Sequence, residues 1–146
     1  MKVMGGTMNR NQVLAAAIVV TVNLGACLQH GPGEEALHGV WRGEHAGQQL
    51  TFSFESDKTC ELRFEDSELG AVTVWTGRFE TNFSKDPIPI SIRNIPQLEH
   101  SIHTILRLDA ADELTVAPFA SRWRLRAVSF DPERSMRLVR AVNADS

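Results

Sequence analysis

Histidine and carboxylate side chains meet in two short stretches where acid–base or metal chemistry would first be sought. Glu99, His100 and His103 lie close in sequence, and Glu44 directly precedes His45. On a strand, His100 and His103 point to opposite faces, because side chains alternate. No pair of the five histidines has the spacing of a metal motif such as His-Glu-x-x-His, and Cys-x-x-Cys is missing. We therefore expect no metal site and interpret both stretches as polar surface.

Motifs for nucleophilic or phosphate chemistry are also missing from the sequence. There is no Gly-x-Ser-x-Gly turn that would expose a nucleophilic serine, and no glycine-rich loop that would cradle phosphates. The carboxylate pairs Glu34-Glu35 and Glu65-Asp66 fall in turn-like, solvated stretches. Without a buried setting such pairs are poor acid–base couples. We predict that the protein is not an enzyme and needs no cofactor.

A row of arginines near the carboxyl-terminal end is the most suggestive binding feature. Arg122, Arg124 and Arg126 alternate with Trp123 and Leu125. On a strand the arginines would share one face, about 7 Å apart, opposite the two apolar residues. Such a face suits lipid phosphates, lipopolysaccharide or an acidic partner. The alternative is a solvated outer face, where charge discourages aggregation. The formal net charge of −3 is too small to imply a nucleic-acid partner.

The first 26 residues differ in composition from the rest of the chain. They contain no Asp or Glu, two basic residues (Lys2 and Arg10) and a nearly unbroken apolar run over residues 13–22. The run is about half of the roughly 20 residues needed to span a bilayer. A basic start, a short apolar stretch and small residues before a cleavage point are typical of a secretory signal. A buried amino-terminal helix is the alternative, and any of three early methionines could be the start.

The segment Leu24-Gly25-Ala26-Cys27 closes this region. It resembles the lipobox of bacterial lipoproteins, in which Leu and two small residues precede Cys. The resemblance implies that residues 1–26 are a lipoprotein signal peptide and that Cys27 is lipidated and becomes the mature amino terminus. Two or three acyl chains, palmitate among them, then hold the protein firmly in a membrane. Because Leu28 and not Asp follows, the implied location is the bacterial outer membrane, on its periplasmic side. The alternatives are a plain secretory signal or a Cys27–Cys60 disulfide.

Cys60 has no partner if Cys27 is lipidated, and a leftover thiol in an exported protein needs an explanation. Cys60, Leu62 and Phe64 alternate with polar residues, which places the thiol on the apolar face of a strand. We predict that Cys60 is a small buried hydrophobe, the alternative being a reactive thiol.

Period-2 alternation dominates the remainder, and no helical pattern of useful length interrupts it. Residues 27–37 form the lipidated Cys and a short tether rich in Gly, Pro and Glu. The predicted strands are residues 40–42, 50–54, 60–64, 72–83, 88–92, 100–109, 114–116, 122–126 and 135–142. With eight or nine short strands, we predict an all-β protein whose domain, residues 38–142, is a small antiparallel up-and-down β-barrel of about eight strands. A sandwich is the competing architecture, and residues 143–146 are a tail.

The stretch Leu37-His38-Gly39-Val40-Trp41 resembles the Gly-x-Trp signature at the first strand of calycins, the lipocalin-related barrels. The closing stretch VSFDPERSMRLVRA is similar to the last strands of small bacterial lipocalin-like lipoproteins. The resemblance implies that Gly39 lets the chain enter the barrel closely and that Trp41 plugs its floor. It also implies that a basic residue of the last strand, Arg137 or Arg140, stacks on that indole.

The predicted function of this membrane-anchored lipocalin-like lipoprotein is ligand binding, and the alternative is a filled interaction module. In the first, the barrel holds a small apolar or amphipathic ligand in the cell envelope, which requires an internal cavity of some hundreds of Å³. In the second, apolar side chains fill the barrel, and the protein is an interaction or inhibitor module that contacts another envelope protein.

Overall fold

The computed structural model describes residues 33–142, which form a closed antiparallel barrel of eight strands. Each strand pairs with the next one in the chain, and the last pairs with the first. The predicted all-β, up-and-down barrel is therefore confirmed, and the alternative of a sandwich is not formed. The predicted signal peptide, Cys27, the first part of the tether and the tail at 143–146 lie outside the described residues.

A short 3-10 helix, Glu34–Leu37, precedes the barrel, and a second one, Trp123–Leu125, lies between the last two strands. The strands are β1 (Gly39–His45), β2 (Gln48–Phe54), β3 (Thr59–Asp66), β4 (Val72–Thr81), β5 (Ile88–Arg93), β6 (Ile102–Ala110), β7 (Glu113–Val116) and β8 (Met136–Arg140).

Because side chains alternate along each strand, one set points into the packed interior and the other set lies on the outer, solvent-facing wall of the barrel. On β2, Leu50, Phe52 and Phe54 are buried, and each opposes an inward-facing residue of β3 across the ladder. The same parity continues around the barrel, so that one apolar cluster occupies its interior. Its largest fully buried members are Trp41, Phe52 and Phe79.

Gly77 allows two parts of the wall to approach each other closely. β4 runs without a break through this residue, which pairs with Cys60 of β3. A Cβ atom at this position would lie 2.7 Å from the carbonyl oxygen of Arg93 and 2.9 Å from Ile92. Because such contacts are too short for a side chain, the glycine accommodates the crossing of β4 by the end of β5.

The barrel has two ends, which we name the floor end and the loop end. The floor end carries the first 3-10 helix and the short β2–β3, β4–β5 and β6–β7 connections. The loop end carries the β1–β2 turn, the β3–β4 connection, the β5–β6 loop and the long β7–β8 loop of residues 117–135.

The prediction of a strand at residues 122–126 is wrong. The chain leaves β7, runs beside β6 as far as a backbone bridge between Ala120 and His103, and then forms the second 3-10 helix. A ninth strand has no place in the ladder, because β8 already pairs with both β7 and β1. The arginine row consequently belongs to a loop.

Candidate functional site

The floor of the barrel is built around Trp41, whose side chain is fully buried. Its indole Nε1 donates a hydrogen bond to the carbonyl oxygen of Leu37, at 2.8 Å, which ties the first 3-10 helix to β1. The guanidinium carbon of Arg140 lies 4.3 Å from the centroid of the indole ring. Since Trp41 and Arg140 oppose each other in the β1–β8 ladder, strand register alone places the cation over the ring.

Arg140 also joins the ends of three chain segments. Its Nη1 donates to the carbonyl oxygen of His38 at 2.6 Å, and its Nη2 to that of Ala36 at 2.7 Å. Its Nε donates to a carboxylate oxygen of Asp112 in the β6–β7 turn, at 3.2 Å. Arg137, the other residue that the sequence left open, lies on the outer wall beside Arg107 and Asp109.

Gly39 is the point where the chain enters the barrel under this cation. Its φ angle of +123° belongs to the left-handed region, which glycine adopts at little cost. A Cβ atom here would lie 2.8 Å from Nη1 of Arg140. Gly39, Trp41 and Arg140 therefore form one interlocked structural unit that closes the floor end.

The interior beneath this floor is occupied by side chains. Phe54 packs edge-on against Phe79, with ring centroids 5.2 Å apart, and Phe52 against Phe64 at 5.5 Å. At the loop end, Phe119 of the β7–β8 loop folds inward to 6.4 Å from Phe52. Two side chains of the β5–β6 loop, Ile95 and Leu98, pack on the same core. Loops of the chain itself thus cover the mouth through which a ligand would enter.

The depressions on the barrel are open grooves. One has a volume of about 520 Å³ and is bordered by the outward-facing Ser53, Glu61 and Thr76 of β2, β3 and β4. A smaller one, about 350 Å³, lies on the wall between Asp109 and Arg137. Polar and charged side chains contribute to the lining of both grooves.

Residues 122–128 of the β7–β8 loop form the candidate interaction surface, which we call the basic–apolar loop. The exposed fractions of Trp123, Leu125 and Val128 are 62%, 67% and 86%. Arg122 and Arg124 are exposed as well. Because the segment is a tight helical turn and not a strand, the chain does not sort its cationic and apolar side chains onto two opposite faces, and both kinds reach solvent.

The charge around this surface differs from that of the rest of the barrel. Residues 33–116 carry 15 acidic and seven basic side chains, whereas residues 117–142 carry six arginines and two acidic side chains. No carboxylate occurs between residues 117 and 130. Among the ion pairs within residues 33–142, none includes Arg122, Arg124 or Arg126.

His103 lies beneath the basic–apolar loop, on the outer side of β6. It is 9% exposed, and its Nδ1 is hydrogen-bonded to the hydroxyl of Ser91 on β5, at 2.8 Å. Burial lowers the pKa of His103, and the positive charges of Arg126 and Arg93 lower it further. These charges oppose the imidazolium that a serine–histidine nucleophile would form. The sequence analysis missed Ser91, although the alternation on β5 places it on the outer face.

Cys60 is a free, buried thiol, as the sequence predicted. Burial raises the pKa of its thiol to about 12. The thiolate, which is the reactive form, is therefore scarce at neutral pH.

Residues 33–142 lack two further features. In this range no group of three or more His, Cys, Asp or Glu side chains is placed to hold a metal ion. The same range contains no helix of the length and hydrophobicity that crossing a bilayer requires. His100, which the sequence placed near His103, is bonded through Nδ1 to the neighbouring carbonyl oxygen of Ser101 at 3.0 Å.

Comparison of the chain with models of protein families, with curated proteins and with solved structures finds no significant match.

Proposed function

We propose that this protein is a lipid-anchored lipoprotein of the bacterial cell envelope, and that its lipocalin-like barrel is a filled, non-enzymatic scaffold. In this proposal Cys27 carries the acyl chains, and the protein acts through its outer surface. The lipobox-like Leu24-Gly25-Ala26-Cys27 supports the anchor. The closed eight-strand barrel with Trp41 under Arg140 at its floor supports the likeness to calycins.

The observation that carries the choice of a scaffold is the position of Phe119. A carrier of apolar ligands needs an open mouth above an internal cavity. Here Phe119 of the β7–β8 loop lies with its ring centroid 6.4 Å from that of Phe52, and Ile95 and Leu98 of the β5–β6 loop pack on the same apolar cluster. A ligand of drug or fatty-acid size would have to displace these side chains, since the apolar cluster occupies the interior.

The carrier hypothesis predicts that the protein holds an apolar ligand, which adds to its mass, whereas the filled scaffold predicts the mass of the protein alone. We suggest native mass spectrometry on the chain purified without detergent, with Cys27→Ser to remove the acyl chains, followed by incubation with fatty acids. We expect the mass of the protein alone and no uptake. Phe119→Ala is the matched variant, since it unblocks the mouth and leaves the strands unchanged. An apolar molecule that co-purifies with the Cys27→Ser chain in which Phe119 is intact, and that is lost on organic extraction, would refute the filled scaffold.

The anchor is tested separately. Expression in a Gram-negative host fed labelled palmitate should label the unaltered chain and leave the Cys27→Ser chain unlabelled. Cys60→Ser is the control, because a buried thiol should receive no lipid. Labelling that survives Cys27→Ser would contradict the assignment of Cys27.

A further inference from the structure

We propose that the basic–apolar loop, residues 122–128, docks the barrel onto an anionic phospholipid surface. The proposal rests on the proposed function, since it assigns the partner of a barrel that acts through its exterior. It differs from the acyl anchor at Cys27, because it places a second membrane contact on the folded domain.

The arginines supply the electrostatic part of the contact. Arg122, Arg124 and Arg126 have no carboxylate partner among the described ion pairs, and the 14-residue stretch around them is free of acidic residues. Guanidinium groups match phosphate oxygens with two parallel hydrogen bonds. Because arginines without an ion-pair partner break no ion pair within the protein when they bind a headgroup, their binding costs little in protein structure.

The apolar side chains supply the second part. Trp123, Leu125 and Val128 project from the loop with well over half of each surface in water. Burying them in the boundary between headgroups and acyl chains removes this apolar area from water. Tryptophan is enriched at that depth, and the guanidinium of Arg124 lies 5.3 Å from the ring of Trp123, so both side chains are placed at one level.

The loop is held in place before it meets a membrane. Ala120 exchanges two backbone hydrogen bonds of 2.8 Å with His103 of β6. Phe119 is packed into the core, and the ring of Phe130 lies 4.6 Å from the guanidinium of Arg107 on the outer side of β6. The basic–apolar loop is thus fixed on both sides, which lowers the entropy cost of ordering it on binding.

Lipid fits this surface better than an acidic protein does. Three exposed apolar side chains on one loop find their contacts in a bilayer interface, which deforms around each of them. A protein partner would need a matching pocket for each side chain together with a rim of carboxylates. An anionic membrane offers an apolar layer and phosphate groups at the same surface, so it needs no pocket shaped for each side chain.

The test is vesicle binding by the full chain carrying Cys27→Ser, so that acyl chains do not dominate the result. Vesicles of phosphatidylcholine with rising fractions of phosphatidylglycerol are titrated at several salt concentrations. We expect affinity to rise with phosphatidylglycerol and fall with salt. The triple variant R122E/R124E/R126E should bind at least about 100-fold more weakly. The control R42E/R63E/K85E changes the net charge equally on other parts of the wall and should bind like the parent.

Two further variants guard against misfolding and locate the contact. R122E/R124E leaves the half-buried Arg126 beside His103 intact and should weaken binding by about 30-fold. The chain has three tryptophans and no tyrosine, so its fluorescence reports indole surroundings. Binding should shift the emission of the parent to shorter wavelength, and Trp123→Phe should abolish that shift.

Equal binding of the parent and the triple variant to anionic vesicles would overturn the proposal, and so would parent binding that ignores the phosphatidylglycerol fraction. Binding to poly-glutamate that needs the three arginines, without binding to vesicles, would assign the surface to an acidic protein instead. None of these outcomes depends on the barrel interior. Failure of the lipid contact is therefore distinguishable from failure of the filled scaffold, which the bound mass tests.

Discussion

The floor end and the basic–apolar loop combine the same two residue types in opposite ways. At the floor, Arg140 covers the fully buried Trp41 and donates hydrogen bonds to the carbonyl oxygens of His38 and Ala36. In the loop, Arg124 lies near the ring of Trp123, and both side chains face water. Arginine–tryptophan pairing is thus structural where register and burial complete it. Where they do not, we propose that the same pair contacts a surface outside the chain.

The comparison predicts its largest effect for the two tryptophans. Trp41→Ala removes a large buried ring and the hydrogen bond to Leu37, and should lower the free energy of unfolding by about 3–5 kcal/mol. Trp123→Ala is the matched variant and should change it by no more than about 0.5 kcal/mol, since its ring is mainly exposed. Urea unfolding followed by circular dichroism measures both. Similar losses at the two positions would show that the loop is part of the core.

The two arginines of β8 give the next largest difference. Arg140→Met keeps the stem of the side chain and removes the cation over Trp41 together with its bonds to His38 and Ala36. We expect a loss of about 2–3 kcal/mol, because hydrogen bonds from a charged group are among the stronger ones. Arg137→Met, two residues away on the outer wall, should be nearly neutral. A larger loss of stability for Arg137→Met than for Arg140→Met would contradict the structural role of Arg140 at the floor end.

The sequence predicted the barrel well and the loop badly, for identifiable reasons. When one face of a strand is buried, strict alternation such as that of Leu50, Phe52 and Phe54 allows only one assignment of side chains to the two faces. The sequence therefore predicted correctly both the strand and which of its side chains point inward. Residues 122–126 alternate equally well, but β8 already closes the barrel and leaves no strand edge with which they could pair. Because closure of the barrel depends on the whole chain, the local pattern could not reveal this. Local pattern likewise left Arg137 and Arg140 equivalent as partners of Trp41, although only Arg140 has inward parity with Leu138.

His103, beneath the basic–apolar loop, predicts a smaller, pH-dependent effect. Its pKa is lowered by burial and by Arg126 and Arg93, so the unfolded chain takes up the proton at higher pH than the folded protein. Its contribution to stability is therefore complete above about pH 6.5 and declines as the pH falls below that value toward the folded pKa. Comparing the pH dependence of unfolding for the parent and His103→Gln isolates this contribution from that of the carboxylates. A parent and variant with parallel profiles would contradict it.

The smallest effect on stability is expected where the effect on binding is greatest. R122E/R124E should leave the free energy of unfolding within about 0.5 kcal/mol of the parent, because both side chains are exposed and unpaired. At low salt the free energy of unfolding of this variant should be slightly higher than that of the parent, because the substitutions remove repulsion among the positively charged arginines of the loop. Urea unfolding at low and high salt, made on the same protein stocks as the vesicle titrations, measures this directly. A large loss of stability would mean that these arginines hold the fold together as Arg140 does, and the contrast between a structural and a free arginine–tryptophan pair would then have to be abandoned.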